Sequence, residues 1–268
     1  MIPKIIHYCW FGRGELPELV QTCITSWHTH MPNWEYRLWS EDTITQVLYK
    51  PTSDSSLKGR EEESVSQNLS QNWLDYMPKY VQEAYAAKKY AFVSDYVRLW
   101  ALEREGGLYM DVDFEVYKPF DDLMEQYDAF AGYEGSKQNP VMMGVLAADA
   151  HHPWIQGMLT TYENRTFLKE DGSYDITPNT GYFYNWMLKQ GFIGDGVEKD
   201  WNGVHILPVE CFCPGLTTGE NLRCERTYCE HKGLHSWSGD GGWKTNLLNM
   251  FPQGLKIKLI KLKRIILK

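Results

Sequence analysis

A double glycine at residues 106 and 107 separates a helical pattern from a short apolar segment that ends in two acidic residues. The stretch reads Glu103-Arg-Glu-Gly-Gly-Leu-Tyr-Met-Asp-Val-Asp-Phe-Glu115. Glycine is favoured just past the last turn of a helix, because its backbone reaches conformations that other residues avoid. The pattern predicts that a helix ends at the glycines and that a strand over residues 109–114 follows at once. The end of the helix and the acidic residues then lie at one rim of a sheet.

The first part of the chain has a strand–helix–strand order. Apolar residues dominate positions 2–10, Pro17 suits the first position of a helix, and apolar and charged residues alternate over 33–39. This order is typical of an α/β fold with a parallel sheet wrapped by helices. Further along the chain the pattern predicts a polar loop or insertion over 51–72, helices over 80–105, 151–162 and 181–189, and strands over 129–133 and 204–208.

The amino-acid composition and the net charge argue against some classes of function. The chain has 268 residues and a formal net charge of −8, which argues against a nucleic-acid groove because such a groove needs a basic footprint. The N-terminus lacks the architecture of a signal peptide, and no apolar run is long enough to span a bilayer. We therefore expect a cytoplasmic protein whose six cysteines are reduced.

The acidic pair Asp111 and Asp113 indicates a cation site. Residues two apart on a strand point to the same side, so the predicted strand brings both carboxylates together. Two like charges at that distance need a cation. A hard divalent ion that keeps waters and binds phosphate oxygens takes one or two such carboxylates. The pair predicts a metal-dependent enzyme that acts on a nucleoside diphosphate.

The helix before the glycines carries a second polar group. Asp95 and Arg98 are three residues apart, and Ser94 and Arg98 are four apart, so all three side chains lie on one helix face. A surface ion pair of little energetic value is the alternative interpretation. The direct return of the chain into the acidic segment favours a shared site, because ligands of open α/β sheets bind at strand ends.

These residues resemble a known family. The motifs Ser94-Asp95-x-x-Arg98 and Gly106-Gly107-x-Tyr109-x-Asp111-x-Asp113 look like the signature of the glycosyltransferases with a DXD-containing sugar-binding region. That family includes bacterial capsule and lipopolysaccharide sugar transferases, yeast outer-chain mannosyltransferases and the glucosylating domains of large clostridial toxins. Residues 2–12 are similar to its first strand, and residues 234–243 resemble its closing motif.

The resemblance implies a GT-A type α/β fold over residues 1–254, with a mostly parallel twisted sheet and flanking helices. It also implies contacts with a nucleotide sugar. Trp10 would lie against the base with Phe11 beside it. Asp95 would bind ribose or donor-sugar hydroxyls, and Arg98 would bind sugar hydroxyls or a phosphate oxygen. The same pocket would be lined by Ser94 and Tyr109.

The metal site is implied in the same way. Asp111 and Asp113 would hold Mn²⁺ or Mg²⁺, which in turn holds the diphosphate. His235 would be a third ligand or a phosphate contact, and its alternative is a structural histidine. Trp237 and Ser238 would close over the diphosphate. The residues expected to act in catalysis are Asp95, Arg98 and Asp113.

The implied reaction is the transfer of a hexose, with retention of anomeric configuration, from a nucleoside-diphosphate sugar to a saccharide acceptor. We expect a UDP-linked galactose, glucose or N-acetylhexosamine as donor, and a lipid-linked acceptor in bacterial capsular or cell-surface polysaccharide synthesis. Glu134 and Asn139 are candidates on the acceptor side. The alternatives are a GDP-mannose-dependent mannosyltransferase, a phosphatase with Asp111 as nucleophile, and a non-catalytic nucleotide- or carbohydrate-binding module.

The C-terminal segment 255–268 differs from the rest of the chain. It contains six basic residues and no acidic residue, interleaved with leucine and isoleucine. Such a helix predicts peripheral contact with anionic lipid at the inner face of the cytoplasmic membrane. A solvated final helix with one packed stripe is the alternative interpretation.

Overall fold

The computed structural model describes residues 1–49, 72–135, 140–215 and 222–233. The chain divides into two units, Met1–Lys232 and Gly233–Lys268, and Gly233 is the one described residue of the second unit. The predicted C-terminal tail and the predicted 51–72 loop, apart from Asn72, lie outside the described residues.

The described part of Met1–Lys232 contains nine strands, eight α-helices and one 3-10 turn, Trp73–Tyr76. The strands are β1 (Ile5–Cys9), β2 (Glu35–Trp39), β3 (Gly107–Met110), β4 (Phe114–Val116), β5 (Ala129–Tyr133), β6 (Val141–Ala148), β7 (Lys199–Trp201), β8 (Val204–Leu207) and β9 (Cys229–His231). The helices are α1 (Glu18–His30), α2 (Glu41–Tyr49), α3 (Lys79–Ala86), α4 (Tyr90–Glu105), α5 (Asp121–Gln126), α6 (Pro153–Thr160), α7 (Asn179–Lys189) and α8 (Val209–Phe212).

Seven strands form one sheet in the order β2-β1-β3-β6-β5-β8-β7. Strands β2, β1, β3, β5 and β8 run in one direction, and β6 and β7 run against them. Strands β4 and β9 pair separately as a short antiparallel ribbon, called the β4–β9 ribbon below. The predicted α/β fold, with a mostly parallel sheet and flanking helices, is confirmed.

Both faces of the sheet are buried against helices. In β3, Leu108 and Met110 point into a cluster that contains Trp27 of α1, whereas Tyr109 points into a cluster that contains Val97 of α4. Every residue of β3, β5 and β6 is buried, as expected for strands covered on both sides. The burial of apolar surface on both faces therefore fixes the sheet and brings the carboxyl end of β3 close to α4.

The helix predicted over residues 80–105 is in fact two helices, α3 and α4. Lys88 between them adopts a left-handed conformation with φ of 57°, which ends the first helix. The hydrophobic periodicity of the sequence does not reveal the break. Ala84 and Phe92 are both buried, and their spacing of eight residues is that of one continuous helical stripe. The glycine stop is confirmed, since α4 ends at Glu105 and Gly106 donates its N–H to the Leu102 carbonyl at 2.9 Å.

His7 of β1 ties this glycine turn to the sheet. Its Nδ1 lies 3.0 Å from the indole Nε1 of Trp39, and its Nε2 lies 2.7 Å from the Gly106 carbonyl oxygen. An indole N–H only donates, so Nδ1 accepts and Nε2 carries the proton that it donates to Gly106. A side chain on Gly107 would meet the Ile5 carbonyl oxygen at 2.8 Å. The turn thus requires glycine and a neutral imidazole.

Acid should destabilise the protein through His7. Burial lowers the pKa of His7 from 6.5 to about 4, so the unfolded chain binds a proton there that the folded chain does not. The stability contributed by this residue is fully present above pH 6.5 and is lost as the pH falls towards 4. We expect a loss of about 3 kcal/mol across this window, measured by urea unfolding.

His7→Gln provides the reference for this measurement, because an amide can also accept from Trp39 and donate to Gly106 but does not titrate. Other titratable groups contribute equally to the pH dependence of the unfolding free energy in both proteins. The difference between the two pH profiles therefore isolates the contribution of His7. Parallel pH profiles for the two proteins would contradict the assignment.

Candidate active site

The two acidic residues lie in a turn that follows β3. Asp111 donates its N–H to the Gly144 carbonyl at 2.8 Å and accepts from the Phe114 N–H at 3.2 Å. The predicted continuous strand over 109–114 is therefore wrong across residues 111–113, because the chain leaves the main sheet after Met110 and resumes at Phe114 as β4 in the ribbon. The pleat of a strand does not orient the carboxylates; the turn does. The contact with β6 is tight, since a side chain at Gly144 would meet Asp111 Oδ2 at 2.9 Å.

Arg98 of α4 is the centre of the site, with a side chain only 6% exposed. Its Nη2 atom lies 2.6 Å from Asp95 Oδ1 and 3.5 Å from Asp111 Oδ1. The guanidinium also packs 4.7 Å from the ring centre of Tyr109, whose hydroxyl donates to Asp111 Oδ1 at 2.7 Å. Its Nη1 donates to the Met143 carbonyl. The structure thus brings together Asp95, Arg98, Tyr109 and Asp111, which the sequence analysis assigned to one pocket.

The Asp95 carboxyl is shielded from water. Burial raises its pKa, and the charges of Arg98 and Arg165 oppose that rise. Arg165 itself is held by Asp175 at 2.9 Å and by the ring of Tyr182, whose centre lies 3.9 Å from the guanidinium carbon. Arg165 follows α6 in an irregular loop, so no periodicity in the sequence marked it as part of this environment.

Asn179, the first residue of α7, also reaches Asp95. Its side-chain nitrogen lies 3.5 Å from the Asp95 carbonyl oxygen, and its side-chain oxygen accepts from the Tyr162 hydroxyl at 3.3 Å. The sequence pattern did not indicate a role for Asn179. The start of α7 therefore forms one boundary of the region around Asp95.

His231 of β9 lies against the second acidic residue. Its Nε2 is 3.0 Å from Asp113 Oδ2, and its ring stacks on Phe114 with centres 4.6 Å apart and an angle of 13° between the planes. Burial alone would lower the pKa of His231, but the hydrogen bond with Asp113 raises it. Sequence reasoning missed this contact because it joins residues 118 positions apart through a three-residue strand.

Trp10 and Phe11 follow β1 at the same edge of the sheet. The indole of Trp10 is half-buried and donates to the Gly14 carbonyl at 2.7 Å. Phe11 is buried and stacks on Trp73 with ring centres 5.7 Å apart. Ser94 uses its hydroxyl within its own helix, where it donates to the Tyr90 carbonyl at 3.2 Å. Of the two aromatic residues, Trp10 has the ring surface that a ligand can reach.

Glu134 comes directly after β5, which places it on the same edge as the turn after β3. Its N–H donates to the Pro140 carbonyl at 2.9 Å, just before β6 begins. Burial raises the pKa of Glu134, and the positive charge of His231 opposes the rise. Glu134 therefore faces the acidic turn from the neighbouring part of the sheet.

The acidic turn suits a divalent cation that is completed by its substrate. Burial raises the pKa of Asp111, Arg98 opposes the rise, and the charge of Asp113 adds to it. A cation between the two carboxylates would offset that repulsion. Within residues 1–49, 72–135, 140–215 and 222–233, no group of three or more His, Cys, Asp or Glu is arranged to hold a metal ion. Mg²⁺ characteristically uses one or two carboxylates together with substrate phosphates and waters, and the pair present here fits that donor set.

Four residues named in the sequence analysis lie outside the described part of the chain, namely Asn139, His235, Trp237 and Ser238. Their assignments stay predictions. No helix among the described residues is long and apolar enough to cross a membrane.

The region that builds this site matches a known family model. Residues 17–130 match the model described as a glycosyltransferase sugar-binding region containing a DXD motif, and they include Asp95, Arg98 and both acidic residues of the turn. This segment of the chain is therefore similar to that family. The residues of the β4–β9 ribbon that follow position 130 lie beyond the matched segment.

Two curated relatives illustrate the likeness. Subversion of eukaryotic traffic protein A from Legionella pneumophila is 28% identical over 182 residues, which cover 65% of this chain and 24% of that protein. Inositol phosphoceramide mannosyltransferase 1 from Schizosaccharomyces pombe is 25% identical over 128 residues, which cover 47% of this chain and 32% of that protein. The matches thus span about a quarter and a third of the length of these two relatives.

A solved structure entitled PaToxG Glycosyltransferase is also similar to this chain. It superposes with a TM-score of 0.45 and 20% sequence identity, and the match covers 71% of each chain.

Proposed function

We propose that this chain is a metal-dependent, retaining glycosyltransferase that moves a hexose from a UDP-sugar to a saccharide acceptor. The observation that carries the proposal is the Arg98 guanidinium, which joins Asp95 on a helix to Asp111 in the acidic turn. One buried cation thus links a carboxylate suited to sugar hydroxyls with a carboxylate suited to a metal–diphosphate complex. The family match over residues 17–130 supports the same reaction class.

Two residues of the site would bind different parts of the donor, and a third would orient one of them. The half-buried Trp10 offers an indole face to the base. Asp95 accepts hydrogen bonds from donor hydroxyls, and Arg98 holds the Asp95 carboxylate in one orientation through its planar set of donors. Because these groups are pre-positioned and shielded from water, they need little rearrangement when the donor binds.

The departing diphosphate gains negative charge in the transition state. Asp111 and Asp113 would hold Mn²⁺ or Mg²⁺, whose chemistry at this point is Lewis-acid stabilisation of that charge. Tyr109 and Arg98 fix Asp111, and His231 fixes Asp113 by its hydrogen bond. Glu134 faces the turn from β5 and is the described carboxylate on the side proposed for the acceptor. The resemblance to the family described above supports the proposal that the anomeric configuration is retained.

Donor turnover tests the proposal. Purified protein is incubated with UDP-glucose, UDP-galactose, UDP-N-acetylglucosamine or GDP-mannose, with Mn²⁺, and release of the nucleoside diphosphate is measured. We expect UDP release from a UDP-sugar, its loss in EDTA and its recovery when Mn²⁺ is restored. NMR of the released sugar should show the anomeric configuration of the donor.

The alternatives give different results in the same assay. Turnover of GDP-mannose would select the mannosyltransferase, a candidate favoured by the name of the Schizosaccharomyces pombe relative. Hydrolysis of simple phosphate esters would indicate a phosphatase. Nucleotide binding without any turnover would indicate a binding module. The lipid-linked acceptor, the role in cell-surface polysaccharide synthesis and the membrane contact of residues 255–268 stay predictions from the sequence.

A further inference from the structure

The β4–β9 ribbon places two acidic side chains directly opposite each other. Its register pairs Phe114 with His231, Glu115 with Glu230 and Val116 with Cys229. Like charges opposite each other on antiparallel strands destabilise the pairing. Two-stranded ribbons are also marginal without additional support. The register of this ribbon therefore depends on whatever neutralises Glu115 and Glu230.

Lys232 bridges the two carboxylates. Its Nζ lies 2.6 Å from Glu115 Oε2 and 3.0 Å from Glu230 Oε2. The Tyr117 hydroxyl lies within 2.9 Å of both acids, and Arg223 pairs with Glu230 from the loop before β9. Burial alone would raise the pKa of Glu230, but the hydrogen bonds from Lys232 and Arg223 lower it to about 2. Both carboxylates are thus held by cations.

The other face of the same ribbon carries the contacts to the acidic turn. Side chains alternate along a strand, so His231 lies on the face opposite Glu230 and Lys232. On that face its Nε2 meets Asp113 Oδ2 at 3.0 Å. The backbone N–H of Lys232 donates to the Asp113 carbonyl at 2.8 Å. A shift of the ribbon would therefore move these two contacts to Asp113.

We propose that Lys232 is a positioning residue that holds His231 against Asp113, by neutralising the facing carboxylates Glu115 and Glu230 and so fixing the register of the β4–β9 ribbon. It acts from the face of the ribbon that does not meet Asp113. The consequence for catalysis rests on the proposed function, because it assumes that Asp113 holds the cation of a glycosyltransferase. The structural consequence for His231 does not depend on that function.

NMR of the full chain labelled with ¹⁵N-histidine tests the structural consequence. The His231 ring signals are assigned by their loss in His231→Gln. We expect Lys232→Met to shift or broaden the Nε2 signal that the hydrogen bond with Asp113 produces. The double variant Glu115→Gln/Lys232→Met removes the repulsion together with the cation, so it should restore the wild-type signal. Unchanged His231 signals in Lys232→Met would overturn the proposal.

The double variant also decides how Lys232 acts. If the His231 signals of Glu115→Gln/Lys232→Met resemble those of Lys232→Met, the effect of Lys232 does not run through the repulsion between the two carboxylates, and the proposal is wrong. Should Lys232→Met not fold, the double variant alone decides: wild-type His231 signals support the proposal and their loss contradicts it. Lys118→Met is the matched control, because Lys118 bonds the Glu225 carbonyl near the same ribbon and should leave the His231 signals unchanged.

Donor turnover supplies a second readout. We expect Lys232→Met to raise the Mn²⁺ concentration for half-maximal turnover by about tenfold or more, as for other residues that orient metal ligands, with a smaller change in kcat. The double variant should recover most of this loss. If the wild-type protein turns over none of the donors, the proposed function fails while the NMR result still tests the position of His231.

Discussion

Asp113→Asn is expected to abolish most donor turnover while leaving the fold intact. Asparagine has the same shape and keeps an oxygen that accepts from His231, but it lacks the charge that binds a divalent cation. Loss of Lewis-acid stabilisation should cost about three orders of magnitude in kcat, equal to about 4 kcal/mol in the transition state. The measurement is UDP release at saturating Mn²⁺, with thermal unfolding measured in parallel.

Asp121→Asn is the control for this substitution. Asp121 pairs with Lys4 at 2.6 Å and its side chain is 39% exposed, so its loss should change neither turnover nor folding appreciably. Full turnover by a folded Asp113→Asn protein would remove the acidic turn from the mechanism. Loss of turnover together with loss of the folded state would instead indicate a structural role.

Arg98→Met should be the most destabilising single change at the site. It leaves the buried Asp95 without the guanidinium that pairs with it at 2.6 Å, and it removes the hydrogen bond that Arg98 donates to the Met143 carbonyl. Breaking a buried ion pair by removing one partner costs about 3–5 kcal/mol. We expect a loss of this size in the free energy of unfolding, measured with urea, together with loss of donor turnover.

Two further variants separate charge from geometry at this position. Asp95→Asn/Arg98→Met removes the unpaired carboxylate as well, so it should be more stable than Arg98→Met, although still inactive. Arg98→Lys keeps the charge but cannot span Asp95, Asp111 and the Met143 carbonyl with one ammonium, so it should lose turnover with a smaller loss of stability. Wild-type stability in Arg98→Met would contradict the central role of this residue.

The features that sequence reasoning predicted well depend on local geometry. Asp95 and Arg98 are three apart in a helix, and that spacing alone puts them on one face; the structure shows them paired. The glycine stop after Glu105 is equally local, because the hydrogen bond that closes it spans only four residues. The α/β class followed from the order of short apolar segments, each of which is recognisable within its own window.

Other predictions failed where a distant segment decided the outcome. The acidic residues leave the sheet because Asp111 bonds to Gly144 of β6 and because β4 pairs with β9. Neither partner lies near the motif in the chain. Sequence reasoning also did not identify Arg165 and Asn179 as neighbours of Asp95. A loop positions Arg165, and the start of α7 positions Asn179.

The sequence by itself determined which side chains face together on α4, where that helix stops and that two acids follow the next strand, because hydrogen bonds between near neighbours in the chain set these features. Only the tertiary structure decided that the acids sit in a turn and that His231 meets Asp113. Those contacts depend on the burial and pairing of segments more than a hundred residues apart, and no local pattern encodes which segments meet.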